Sequence, residues 1–149
     1  MSSNFDSHDL PKTIAVTDYV MESVIKSRLD QTDYLGLGSC QRSELFLYAL
    51  ALGRDSGLSL PLKNSHGLFR TETLSYSDMA VFRAVHYATN EFERPDELCN
   101  VNETIRIAQE YANGGFQLLE GELNDNLESF QKANEIVAAL SDKYQEMVN

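Results

Sequence analysis

Arg42-Ser43-Glu44-Leu45-Phe46-Leu47-Tyr48-Ala49-Leu50-Ala51-Leu52-Gly53 is the most hydrophobic stretch of the sequence, and its composition decides the fold class. Leucine and alanine dominate it and β-branched residues are absent, so side-chain entropy favours helix over strand. Apolar residues occupy almost every side of such a helix, which places it at the centre of the fold. Glu44 suits the partial positive charge of the helix N-terminus, and Gly53 or Gly57 supplies a stop.

On the N-terminal side, polar residues 1–12, closed by Pro11, read as a flexible tail ahead of a single helical domain over 13–149. Thr17 can cap a helix whose Val20, Val24, Ile25 and Leu29 share one face. Asp30 to Ser39, with Gly36 and Gly38, reads as a loop turning into the central helix. On the other side, residues 54–74 lack a regular pattern. Such a length is unusual inside a domain, so it holds either a short hairpin (Ser59 to Leu62 against Leu68 to Thr71) or a functional loop.

Three further helices follow. Ser75-Tyr76-Ser77-Asp78 is close to a capping box, and Met79, Phe82, Val85 (with Val81) and Ala88 then recur at helical spacing until Arg94-Pro95-Asp96. Asn100-Val101-Asn102-Glu103 is a second start, continued by Val101, Ile105, Ala108 and Ala112. Asn113-Gly114-Gly115 predicts a break or kink before Phe116 to Leu123. Phe130, Ala133, Val137, Leu140, Tyr144 and Met147 form an a/d heptad seam, either the last helix of a bundle or a homodimer and docking helix. The expected class is all-α, a compact bundle of about five helices with room for one small β-hairpin in 58–72.

Charge is spread unevenly. Of the net −11, residues 1–90 carry −2 and residues 91–149 carry −9. Acidity on that scale repels a phosphate backbone and argues against direct nucleic-acid binding by 91–149. No apolar run is long enough for a bilayer, and the N-terminus lacks the basic start and apolar core of a signal peptide. Cys40 and Cys99 form no CxxC; a cytoplasmic protein with two thiols is the simplest reading, and one long-range disulfide the alternative.

No motif carries recognisable chemistry. His8, His66 and His86 have no ligand spacing with each other or with the cysteines, so neither a metal nor another cofactor is expected. His86, on an amphipathic helix, reads as a boundary residue. Gly36-Leu37-Gly38 lacks the GK[ST] of a phosphate loop. Arg42 with Glu44, and Arg70 with Glu72, could form arginine forks around the 54–74 loop and grip a carboxylate or phosphate. Glu110-Tyr111-Ala112-Asn113-Gly114-Gly115 is the most distinctive string; it is either a helix end or a contact surface presenting Tyr111 and Asn113.

A hydrophobic helix ending in Ala51-Leu52-Gly53, a loop with Pro61-Leu62, a return through Phe69-Arg70 and the late Glu110 to Gly115 string resemble the small proteins associated with DNA phosphorothioation (dnd) defence systems. The likeness spans roughly residues 42–123 and leaves out the heptad helix. It implies a prokaryotic accessory protein encoded beside a phage-restriction system, working with larger protein subunits that process DNA. It implies no catalytic residue.

Three functions follow as expectations. The first is a non-enzymatic accessory subunit, meeting its partners through the Arg42/Arg70 region and the heptad helix. The second is an acidic DNA mimic or viral inhibitor of a nucleic-acid-binding enzyme, which needs carboxylates on one continuous face. The third is a small hydrolase using Glu44, Glu72 and His66, which must then converge.

Overall fold

The computed structural model describes residues 10–90 and 100–148, apart from the side chains of 127–131. Its order is strand β1 (Thr13–Thr17), a π-helix (Val20–Leu29) running into α1 (Asp30–Thr32), a 3-10 turn (Tyr34–Gly36), α2 (Arg42–Ser56), β2 (Ser65–Arg70), a second 3-10 turn (Thr71–Thr73), α3 (Tyr76–Asn90) and α4 (Val101–Val148). The fold is all-α with one small two-stranded antiparallel sheet, as the residue pattern predicts.

The hydrophobic helix does sit at the centre. Leu45, Phe46, Ala49 and Leu50 of α2 are fully buried. The Phe46 ring lies 5.8 Å from Phe69 of β2 and 5.5 Å from Phe82 of α3, so one side chain joins three elements. Gly57, left-handed at φ 67°, ends α2, and the Leu58 N–H reaches back to the Gly53 carbonyl at 2.9 Å. Ser75 and Asp78 make the reciprocal capping bonds expected of them, Asp78 N–H to Ser75 Oγ at 3.0 Å and Ser75 N–H to Asp78 Oδ2 at 3.1 Å. Asn100 Oδ1 caps α4 by accepting the Glu103 N–H.

Three expectations change. The strand around Leu68 exists, but its partner is Thr13–Thr17 and not Ser59 to Leu62. Alternation in Thr13-Ile14-Ala15-Val16-Thr17 turns Ile14 and Val16 inward, and a bulge between Ile14 and Ala15 leaves the Ala15 N–H to Gln109 Oε1 of α4 at 2.8 Å. Packing against the core is already present ahead of Thr13: Leu10 packs against it, and the Lys12 carbonyl accepts the Thr71 N–H.

Val20–Leu29 is a π-helix. Each turn of its i→i+5 ladder takes more than four residues, so positions four, five and nine apart stack on one side. Val20, Val24, Ile25 and Leu29 follow that spacing, and all four are buried. Thr17 Oγ1 accepts the Val20 N–H at 3.2 Å, the cap expected of it.

The third change is the largest. No break occurs at Asn113-Gly114-Gly115, and α4 runs unbroken for 48 residues. Its first half packs against α2 and α3 through Ile105, Ala108, Ala112, Phe116, Leu119 and Leu123. The expected interruption at Arg94-Pro95-Asp96 lies outside the described residues.

Candidate interaction surface

The two arginine–glutamate pairs stay apart. Arg42, at the start of α2, forks both guanidinium nitrogens onto Asp30, with Nη1 3.0 Å from Oδ1 and Nη2 2.8 Å from Oδ2. This ties the end of the π-helix and α1 to the central helix. Glu44 is exposed in the first turn of α2. Arg70 pairs with its own neighbour Glu72 at 3.3 Å, both largely in solvent. Among the described residues no hydrogen bond or ion pair joins the two pairs. Arg70 and Glu72 instead edge an open groove of about 710 Å³ with Leu10, Lys12, Leu74 and Met79.

The Glu110 to Gly115 string turns inward. A side chain on Gly115 would place Cβ 1.6 Å from the Ala49 carbonyl oxygen of α2, and one on Gly114 would come 2.0 Å from the Leu58 carbonyl oxygen. Gly53 does the same for α2, since its Cβ would meet the Tyr111 carbonyl oxygen at 1.9 Å. The glycines are therefore there for close backbone approach and not for a turn. Asn113 Nδ2 donates to the Leu60 and Pro61 carbonyls at 3.2 and 3.3 Å, and the Leu60 N–H reaches the Glu110 carbonyl. Three consecutive residues thus hold the 58–61 loop and α2 against one helix. Tyr111 is buried, its ring beneath the Arg54 guanidinium and its hydroxyl 3.3 Å from Thr89 Oγ1.

Beside Asn113 lies a second open groove, of about 600 Å³, between the start of the π-helix and α4. Val20, Val24 and Phe116 form its floor; Asp18, Tyr19, Lys63, Gln117 and Glu120 form its rim. Tyr19 donates its hydroxyl to Glu120 at 2.5 Å, and that carboxylate pushes the phenol above its usual value. Nothing in the sequence flags this pair, because its members lie 101 positions apart.

The remaining candidates are separate from one another. His66 faces Asp18 at 3.7 Å, while Glu72 faces Arg70, so no shared bond joins Glu44, Glu72 and His66 among the described residues. His86 is fully buried and not a boundary residue; with Met79 and Phe82 it forms the 3,4-spaced inner face of α3. Its Nδ1 lies 2.6 Å from Thr104 Oγ1, and Thr104 in turn donates to the Asn100 carbonyl. Burial holds the imidazole below its ordinary pKa. Cys40 is half-buried, and burial pushes its thiol up, away from reactivity; Cys99 lies outside the described residues. No cluster of three or more metal-ligating side chains occurs among the described residues.

Three carboxylates in the first half of α4 are engaged. Arg106 clasps both Glu103 and, at 2.9 Å, Glu110, which holds the Glu103 carboxyl below its usual range, and Glu120 is engaged by Tyr19.

What remains is the distal half of α4. Beyond Leu123 the helix continues for about 37 Å at 1.5 Å per residue; Asn124 accepts a hydrogen bond from Arg28 of the π-helix, and residues 132–148 are exposed throughout. Along it Val137 (64% exposed), Leu140 (63%), Tyr144 (63%) and Met147 (80%) keep the 3,4 spacing of the buried Phe116, Leu119 and Leu123. Ile136 and Val148 widen the face. Phe130 shares the spacing, but its side chain is outside the described residues. No described helix is long and apolar enough to cross a membrane.

No family model, curated protein or solved structure matches this chain.

Proposed function

We propose that this chain is a non-enzymatic interaction subunit, working in the cytoplasm as an accessory to a larger DNA-processing assembly of prokaryotic antiviral defence. One observation carries the reading of an interaction subunit: a single helix whose apolar seam is buried as far as Leu123 and bare from Val137 to Met147. A contiguous apolar face of several hundred Å² on a projecting element marks a binding surface. The link to DNA-phosphorothioation defence is supported by the resemblance over residues 42–123 alone. Its two most distinctive strings, Ala51-Leu52-Gly53 and Glu110 to Gly115, meet at the α2–α4 crossing, so in this chain they specify packing.

The test is affinity purification of the tagged chain from its native host, beside a Leu140→Glu variant. Stoichiometric recovery of a larger ATPase or nuclease with the unaltered chain is the expected result, and the variant reports whether the seam is needed for it. Repeated recovery of the chain alone overturns the reading.

A further inference from the structure

Resting on that reading, we infer that the bare face of α4 is covered by the same face of a second copy, the two helices running antiparallel with Val137 of one level with Leu140 of the other. Two observations lead there.

The first is size matching. In this register Ala133, the smallest residue of the seam, lies level with Tyr144 of the second copy, and Tyr144 with its Ala133. Large then meets small in successive layers, as knobs-into-holes packing needs. A parallel pair would instead set alanine on alanine and tyrosine on tyrosine, leaving a hole in one layer and crowding in another.

The second is reach and area. Val148 of one helix comes level with residue 129 of the other, just short of Leu123, where the buried part of α4 ends. The two folded ends therefore clear each other, one at each end of a shared rod. Ile136, Val137, Leu140, Tyr144, Met147 and Val148 expose 55–80% of their surfaces. That is roughly 600 Å² of apolar area per copy and roughly 1,200 Å² for a pair, which reaches the range of stable interfaces. An isologous pair of this kind closes on itself by a two-fold axis.

Light scattering on the full chain across its accessible concentration range should give twice the chain mass, and Leu140→Glu should halve it. Leu140 lies outside the folded core, and a cooperative melting transition in that variant equal to that of the unaltered chain at high dilution excludes misfolding as the cause. For the register, Ala133→Cys and Tyr144→Cys chains, both with Cys40 and Cys99 replaced by serine, are mixed and oxidised. The expected product is a disulfide-linked species containing one of each, with Ala133→Cys alone giving none. A single-chain mass at every concentration overturns the inference, as does a pair that Leu140→Glu leaves intact. Self-linked Ala133→Cys chains overturn the antiparallel register. A single-chain mass together with a larger partner lost on Leu140→Glu overturns this inference and leaves the interaction-subunit reading standing.

Discussion

Gly115 of α4 lies so close to Ala49 of α2 that a Cβ on Gly115 would fall 1.6 Å from the Ala49 carbonyl oxygen. That oxygen belongs to the backbone of a buried helix and cannot swing aside. Gly115→Ala removes a poor helix former, a gain of about 1 kcal/mol in a free helix. Here the clash dominates, and the expected cost is about 3 kcal/mol. For a chain of this size that lowers the melting temperature by about 6–12 °C, which calorimetry would resolve. An unchanged or raised transition would show that α2 and α4 do not approach so closely.

Gly121, six residues further along the same helix, meets nothing within 4 Å of its notional Cβ. Only helix propensity acts there, so Gly121→Ala should stabilise the fold by about 1 kcal/mol. The two substitutions are chemically identical and opposite in expected sign. A melting comparison in one buffer tests the packing without reference to any other protein.

That contrast also explains what the sequence could and could not disclose. Helix starts at Ser75 and Asn100 were legible because capping is local chemistry, and the Val137 to Met147 seam because heptad spacing is local too. Asn113-Gly114-Gly115 misled because a glycine needed for positive φ and one needed for close approach look the same in one dimension. The Thr13–Thr17 strand was hidden because its partner begins at Ser65, and five alternating residues are too few to declare themselves. His86 takes a core position beside Met79 and Phe82, which a scan for apolar letters passes over. Of the candidate surface, the exposed seam was readable; the Tyr19–Glu120 contact depends on a fold that brings distant residues together.

His86 gives the fold a definite pH dependence. Its folded-state pKa lies below the ordinary 6.5, because burial disfavours the imidazolium; Arg106 adds to this and Glu103 opposes it. Above pH 6.5 both folded and unfolded chains hold it neutral, and its contribution to stability is complete. As pH falls through that value the unfolded chain takes up the proton first, so stability is lost at up to about 1.4 kcal/mol per pH unit until the folded imidazole also protonates. Urea denaturation on either side of this pH should show that loss in the unaltered chain and a flatter profile in His86→Gln. Equal slopes would mean that His86 titrates alike in both states.

The Arg42–Asp30 fork, about one-third exposed on each side, should be worth about 1 kcal/mol after solvent screening. Lysine keeps the charge but cannot reproduce two parallel N–H bonds to one carboxylate. Arg42→Lys should therefore lose most of the coupling that a double-mutant cycle with Asp30→Ala measures. Retention of the full coupling by lysine would reduce the fork to a charge contact.

Removal of everything after Asn126 separates the two halves of α4. Among the described side chains of the helix the last fully buried one is Leu123, and residues 132–148 are exposed throughout. A helical extension without tertiary contacts gains little from its own hydrogen bonds, since each propagation step is close to neutral in water. Its loss should leave the transition of the folded end within about 2 °C of that of the unaltered chain at high dilution, while the helical circular dichroism falls with the missing turns. The unaltered chain, held as a pair through that extension, should melt at a temperature that rises with concentration, because association stabilises only the folded form. The shortened chain should lose this dependence. A shortened chain that still melts higher when concentrated would place the self-association on the folded end, and the exposed seam of α4 would then be open to a different protein.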